Sequence, residues 1–333
     1  FVFAGATRPE DLDTQMQVLA AYVAEPGWRP EAFARIQTYG ATIHQQYEAT
    51  DSGVVGRDLG GLLRKGDRRW TFPSREEIAG AKLADLRAEI DPAFTAGPIE
   101  VVIVGDITVE KATDAVARTF GALPPRPEPP ALPEAARRVG FPDGGGPIVE
   151  RTHKGRADQA TAYVAWKTDD FFSDPQEARA IGVLSEIMRL RLLEELREAQ
   201  GVTYSPSVGN SQSLIWSDWG YISASVRAPP DKLDGFFADV FKMAASLRDK
   251  PVDADELQRA KAPRLERLIK ARETNEYWLS QLSGAQGDPR RLDAIRSVVP
   301  STERVTAAEV QAVARKYLND ANAWRFVVKA EGK

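Results

Sequence analysis

Residues 158–199 have the sequence DQATAYVAWKTDDFFSDPQEARAIGVLSEIMRLRLLEELREA, and this stretch decides the fold class. Its first part, 158–168, alternates apolar with other residues, which predicts a half-buried strand. The inward positions of that strand are Ala160, Ala162, Val164 and Trp166. Its second part, 174–199, predicts a helix with Asp174 as the N-cap and Pro175 at the first helical position. A strand therefore leads directly into a long helix.

The predicted helix has one apolar face, because its large apolar residues recur at spacings of three and four. They are Ile181, Leu184, Met188, Leu192 and Leu196. Gly201 follows as a helix stop. Residues 202–229 then predict two antiparallel strands joined by the polar loop GNSQS. Strands paired by hairpins and helices in pairs predict an α+β domain, with helices on one face of a mostly antiparallel sheet.

The composition bounds the class of protein. The chain has 333 residues, 43% hydrophobic and 28% charged, which is ordinary for a globular protein with a full core. A net charge of −4 argues against a nucleic-acid surface. No apolar run approaches the roughly 18 residues of a membrane span. The absence of cysteine excludes disulfides and thiolate metal sites.

An internal repeat organises the chain. Pro9 and Leu12 correspond to Pro230 and Leu233, at a separation of 221 residues. The later elements recur in the same order, and a predicted strand at 99–106 corresponds to 323–332. The first copy has no counterpart for about 147–221, so we expect roughly seventy residues to be missing before Phe1. We also expect Phe1 to lie in the middle of a strand rather than at its start.

The repeat predicts the domain organisation. Residues 1–120 form a domain that lacks its leading section, and 147–333 form a complete second domain. Between them, 121–146 is rich in proline and glycine and has no apolar periodicity, which predicts a semi-extended linker.

Few residues in this chain have metal-binding or catalytic spacing. His44 and His153 are its two histidines, and neither belongs to a metal-ligand cluster. His44 with Glu48 predicts a surface contact, and His153 a plain polar side chain near the start of a strand. Phosphate-binding, nucleotide-binding and nucleophile-elbow motifs are absent. The aromatic group Trp216, Trp219 and Tyr221 predicts core or interface packing, with a peptide groove as the alternative.

The segment R-EAQGVT-Y, from Arg197 to Tyr204, leaves two interpretations open. One is a surface salt bridge and a packed ring. The other is functional, because a guanidinium fork and a phenol hydroxyl can both donate to peptide carbonyls or to a developing oxyanion.

The run LSEIMRLRLLEELREAQGVTYSPSV resembles the pitrilysin/insulinase family of zinc metallopeptidases, the inverzincins, in which an arginine, six residues and a tyrosine lie in the C-terminal half. The segments GDRRWTFPSREEI and VVIVGDIT, with the repeated α+β domains, extend the resemblance over nearly the whole chain. The most similar members are large bacterial two-half enzymes. Their zinc motif HxxEH is in the N-terminal half, and this chain has none.

The resemblance implies a function. The chain would be the C-terminal, non-zinc-binding half of a zinc endopeptidase that degrades peptides in a closed chamber. It would contain the enzyme's third domain without its leading section and the complete fourth domain. Arg197 and Tyr204 would be the catalytic residues, and zinc would be held by the N-terminal half, with none in this chain. The implied partners are that half and peptide substrates, with a periplasmic location. A homodimer of this chain is a further expectation, because a domain without its leading section should expose apolar surface that the missing elements would cover. An inactive scaffold subunit and a plain interaction domain are the alternatives.

Overall fold

The computed structural model describes residues 1–129, 131–200 and 206–332, with the side chains of 196–200 excepted. The α-helices of this part of the chain are α1 (Leu12–Ala24), α2 (Pro30–Glu48), α3 (Asp51–Leu62), α4 (Arg75–Gly80), α5 (Leu83–Thr95), α6 (Val109–Arg118), α7 (Pro175–Gln200), α8 (Leu233–Asp249), α9 (Ala254–Ala271), α10 (Asn275–Leu282), α11 (Arg290–Arg304) and α12 (Ala307–Tyr317). The strands are β1 (Val149–His153), β2 (Ala160–Thr168), β3 (Ser207–Gln212), β4 (Gly220–Ala228) and β5 (Trp324–Ala330). None of the helices described is long and apolar enough to cross a membrane.

The strands form one sheet in the order β1-β5-β2-β4-β3. Strand β2 pairs antiparallel with both β4 and β5, and β3 pairs antiparallel with β4. Only the pairing of β1 with β5 is parallel among the described strands. The α+β class and the mostly antiparallel sheet are therefore confirmed.

Helix α7 begins as its sequence predicts. The Asp174 carboxylate accepts hydrogen bonds from the backbone N–H groups of Gln176 and Glu177, at 2.9 and 3.0 Å. The predicted apolar face is fully buried at Ile181, Leu184, Met188 and Leu192. With α8 and α12, it forms the main core against one face of the sheet. At about 25 cal/mol per Å² of apolar area, this burial dominates the stability of the fold.

The second face of the sheet is also covered, which the alternation in β2 did not predict. Helix α3 packs against β1, β2 and β5, and its Val54 is fully buried there. Tyr163 and Ala165, which point to this face from β2, are buried as well. The prediction of a half-buried β2 is wrong, because a distant segment of the chain supplies a second layer.

The hairpin between β3 and β4 turns later than predicted. The GNSQ residues belong to β3, and the connection is 213–219. The Ser213 hydroxyl oxygen accepts from the N–H groups of Ile215 and Trp216 at 3.1 and 2.7 Å, and Asp218 takes a φ of +56°. These hydrogen bonds to Ser213 close the turn. They do so although Leu214, Ile215 and Trp216 are residue types that favour strands.

The helical elements recur as the repeat predicts. Short 3₁₀ helices occur at Pro9–Asp11 and Pro230–Lys232, and they precede α1 and α8. Contacts divide the described chain into two compact units. Unit 1 comprises 1–42, 73–133 and 271–292, whereas unit 2 comprises 43–72, 134–270 and 293–333. This grouping places α3 in the same unit as the sheet. It therefore differs from the predicted domains, which are the contiguous ranges 1–120 and 147–333. Those ranges were predicted as domains of the family, and they stay a prediction.

Unit 1 contains little buried apolar surface. Its buried hydrophobic residues are Met16, Ala20, Ala115 and Ala285. The exposed large ones include Phe1, Val2, Phe3, Val18, Tyr22, Ile36, Tyr39 and Leu86. The segment 99–106 is not a strand, contrary to the prediction, since no described residues form a ladder with it. Its counterpart β5 is a strand because β1 and β2 flank it.

Candidate functional site

The predicted site residues lie at the junction of α7 and β3. Arg197 is in the last turn of α7, which ends at Gln200, but its side chain lies outside the described residues. Tyr204 also lies outside them, three positions before β3 begins at Ser207. The elements on both sides of this junction, α7 and β3, are described.

Ion pairs to two neighbouring helices fix the end of α7. The Arg191 guanidinium donates two hydrogen bonds to Glu256 on α9, at 2.6 and 2.9 Å. This bond raises the pKa of Arg191 although burial opposes it. One turn later, Lys242 on α8 pairs with Glu195 at 2.9 Å. A bidentate arginine–carboxylate pair is geometrically specific, so the backbone that carries Arg197 is fixed in orientation.

Strand β3 fixes the other side of the junction. It runs antiparallel to β4 over its whole length, from Ser207 opposite Ser225 to Gln212 opposite Gly220. Val208 packs against the main core. Strand β3, which follows the junction in the sequence, is therefore an outer strand of the sheet.

A stack of arginine and tryptophan side chains holds the 213–219 connection. The Arg64 guanidinium carbon lies 4.7 Å from the ring centroid of Trp70 and 4.3 Å from that of Trp219. That of Arg69 lies 4.7 Å from the rings of both Trp70 and Trp216. Burial lowers the pKa of Arg64. Trp216 and Trp219 therefore pack within unit 2, as predicted. No sequence pattern indicated that Arg64 and Arg69 would lie against these rings.

Polar side chains also occupy the second face of the sheet. Asp51, at the start of α3, is fully buried and accepts from Thr161 Oγ1 at 2.7 Å and from Arg227 Nε at 2.9 Å. Burial raises the pKa of Tyr163, which shares a hydrogen bond with Ser223. Sequence reasoning missed this cluster because it joins three elements, α3, β2 and β4, that are far apart in the sequence.

Both histidines are buried. His44 was expected in a surface contact, but its ring packs edge-on against Phe72, at 5.0 Å between centroids. His153 is the last residue of β1 and precedes β2, which begins at Ala160, and it is fully buried. Its Nδ1 accepts from Gly155 N at 3.0 Å, so Nε2 carries the proton and donates to Gln159 O at 2.8 Å. Both rings are structural parts of unit 2.

The described residues contain no group of three or more histidine, cysteine, aspartate or glutamate side chains that could hold a metal ion.

Comparison with known proteins places this fold among peptidase-like proteins. A protease from Helicobacter pylori superimposes with a TM-score of 0.80 at 15% identity, covering 97% of this chain and 78% of that one. The peptidase M16 inactive domain from Pseudomonas fluorescens superimposes with a TM-score of 0.77 at 19% identity, covering 97% and 76%. These likenesses establish the fold.

The family follows from the sequence itself. Residues 81–263, more than half of the chain, match the family model described as "Peptidase M16 inactive domain". The chain therefore belongs to the peptidase M16 inactive domain family. It is also 22% identical to the chloroplast stromal processing peptidase of Pisum sativum, over 91% of this chain. That alignment covers only 28% of the relative's length, so this chain corresponds to a part of it.

Proposed function

We propose that this chain is the C-terminal, non-zinc-binding half of a zinc-dependent endopeptidase that degrades peptides in a closed chamber. In the assembled enzyme, Arg197 and Tyr204 bind the substrate backbone and donate hydrogen bonds to the oxygen that gains charge in the transition state. The observation that carries this proposal is the match of 81–263 to the inactive domain of a peptidase family.

The surroundings of the junction support the proposed roles. Arg191 and Glu195 hold the end of α7, and β3 continues from the junction as part of a paired sheet. Donors act on a transition state most effectively when they are held in place before the reaction, because no reorganisation is then needed. The described elements on either side of the pair, α7 and β3, are held by such contacts.

Zinc is proposed to belong to the other half of the enzyme. The described side chains of this chain do not offer a donor set for it, as a tetrahedral zinc site needs three or four such ligands close together. The part proposed for this chain is limited to binding the peptide and to stabilising charge. The implied partner is a half that carries the metal motif, and the proposed location is the periplasm.

The test is reconstitution. The chain is mixed with, or fused to, the metal-carrying half encoded with it, and the hydrolysis of a quenched fluorescent peptide is measured. We expect the chain alone to be inactive and the assembled protein to be active. Tyr204→Phe and Arg197→Ala should each lower kcat on the order of a hundredfold, as expected for the loss of one oxyanion donor.

Matched controls separate this role from a structural one. Tyr39→Phe removes a hydroxyl from an exposed tyrosine on α2, and Arg296→Ala removes an exposed guanidinium from α11. Both should leave kcat unchanged, and all four variants should keep the parent's melting temperature. If Arg197→Ala and Tyr204→Phe lower the melting temperature by many degrees and keep kcat within about twofold, the pair is structural and the proposal fails.

A further inference from the structure

Strand β3 is an outer strand of the sheet, so one of its edges has no partner strand among the described residues. The N–H group of Ser213 donates to the carbonyl of Trp219 at 3.0 Å, which sets the phase of the antiparallel ladder. Because pairs alternate along such a ladder, Ser207, Gly209 and Ser211 bond to β4. The backbone N–H and C=O groups of Val208, Asn210 and Gln212 therefore point away from the sheet.

Within the described residues, no hydrogen bond reaches those outward groups. A row of free backbone donors and acceptors is a template for another strand. Each such group gains about 1 kcal/mol when it is paired. Three residues with outward groups can therefore hold an extended peptide without any contact to its side chains.

Proteins commonly protect free edges with charges, prolines or bulges, and β3 has none of these. Its sequence is SVGNSQ, and its register with β4 is regular. The opposite edge of the sheet is different. Strand β1 carries Glu150 and Arg151, and Arg151 pairs with Asp58 at 3.3 Å. The sheet thus protects one edge with charge and leaves the other uncharged.

The face of β3 is open at Gly209. Among the described residues, a Cβ atom built on Gly209 meets no atom within 4 Å. Ser207 is exposed, and Asn210 and Gln212 are half-buried, with the Asn210 side chain donating to Gln212 Oε1 at 2.8 Å. The side chains are small or polar, which leaves room for varied side chains on an added strand.

We infer that β3 is a docking strand for an extended peptide, which adds to the sheet antiparallel or parallel to it through backbone hydrogen bonds. The inference rests on the proposed function for the identity of the peptide as a substrate, since β3 begins three positions after Tyr204. Recognition through the backbone gives little sequence preference. Strand β3 would thus contribute to binding many different peptides.

A second copy of the chain is a less suitable occupant. The strand has six residues, and Val208, its one large apolar residue, faces the core. Pairing two such strands would bury far less than the roughly 1,200 Å² of a stable protein interface. A flexible peptide needs only the strand itself.

The experiment measures binding to this chain without the metal-carrying half. The probe is a capped decapeptide of alternating threonine and valine with a lysine at each end. Hydrogen exchange should slow at Val208, Asn210 and Gln212 when the peptide is added. Asn210→Pro, which removes one outward N–H group, should weaken binding about tenfold, the equivalent of about 1.4 kcal/mol. Asn210→Ala keeps the N–H group and should bind within about threefold of the parent.

Several outcomes would overturn the inference. One is unchanged exchange at 207–212 with millimolar peptide, and another is equal binding by Asn210→Pro and the parent. A third is tight binding by the same decapeptide after its backbone amides are N-methylated along both edges. If that peptide binds as well as the unmodified one, strand addition is excluded. Protection that appears without peptide and grows with protein concentration would assign the edge to a second copy. Peptide binding by a chain that stays inactive with the metal-carrying half would contradict the proposed function alone.

Discussion

The carboxylate of Asp51 and the guanidinium of Arg227 form an ion pair with one wholly buried partner. Arg227 Nη2 lies 2.7 Å from Asp51 Oδ1, and its Nε donates to Oδ2 at 2.9 Å. Asp51 is 0% exposed, whereas the Arg227 side chain is 48% exposed. The pair fastens the start of α3 to β4, and through it the second layer of unit 2 to the sheet.

Loss of Asp51 should destabilise unit 2. Asp51→Ala removes the acceptor of Thr161 Oγ1 and Arg227 Nε, whereas Arg227 Nη2 still donates to Gln159 Oε1 at 2.8 Å. Because the remaining guanidinium is half exposed, the free energy of unfolding should fall by about 1–2 kcal/mol, the range for hydrogen bonds to a charged group. The change is measured by urea denaturation with tryptophan fluorescence. Asp158→Ala removes an exposed partner of Arg156 and should leave the denaturation midpoint unchanged. Equal midpoints for both variants would contradict the role given to Asp51.

The arginine–tryptophan stack should show energetic coupling. In a double-mutant cycle, Arg64→Met and Trp219→Leu should be less destabilising together than the sum of the two single changes. A coupling energy of about 1 kcal/mol is expected, because the guanidinium is partly desolvated between the Trp70 and Trp219 rings. The same cycle with Arg156 in place of Arg64 should give no coupling. Strict additivity for Arg64 and Trp219 would mean that the rings only pack around it.

Lys316 should make stability depend on pH. It lies 2.8 Å from Asp169 and 2.9 Å from Glu177, and Tyr317 OH donates to Asp169 at 2.9 Å. The hydrogen bond from Lys316 lowers the pKa of Asp169. Burial opposes the charge on Lys316, but its bonds to Asp169, Tyr317 and Glu177 together raise its pKa. A carboxyl group with a lowered pKa stabilises the fold above its unfolded pKa, and this contribution is lost as pH falls.

Lys316→Gln should therefore lower the melting temperature at pH 7 by about 1–3 °C, a modest effect because the cluster is partly solvated. The deficit should shrink once the pH falls below the ordinary aspartate value of 3.8. Thermal unfolding of parent and variant between pH 3 and 8 provides the measurement. A deficit that stays constant across this range would assign the effect to packing rather than to charge.

The exposed apolar residues of unit 1 should promote self-association. Val18 and Tyr22 lie one turn apart on α1, and both are exposed, while Phe3 stacks on Tyr22 at 5.9 Å. Contiguous apolar surface of this kind is uncommon on monomers. Sedimentation velocity should show dimers of the parent at micromolar concentration and fewer dimers of Val18→Lys/Tyr22→Lys. Lys substitution of the exposed Leu132 serves as the control. A monomeric parent would contradict the predicted homodimer.

Local patterns were sufficient for some elements. Asp174 and Pro175 define the start of α7, and its buried face follows the predicted spacing, because capping and helical periodicity depend only on neighbours in sequence. The correspondence of Pro9 with Pro230 also has a local counterpart in the structure, because each proline begins a short 3₁₀ helix. The spacing of Arg197 and Tyr204 pointed to a candidate site, whose roles stay a prediction.

The sequence by itself determined the α+β class, the helices with a clear apolar face and the family of this protein. The tertiary structure decided that β2 is buried on both faces, that 43–72 packs with the complete sheet and that Asp51 meets Arg227. Its contacts also decided that 99–106 is not a strand and that β3 is an outer strand of the described sheet. The reason is that a strand's ladder and a buried charge both depend on partners distant in sequence, and no local pattern specifies which segment will supply them.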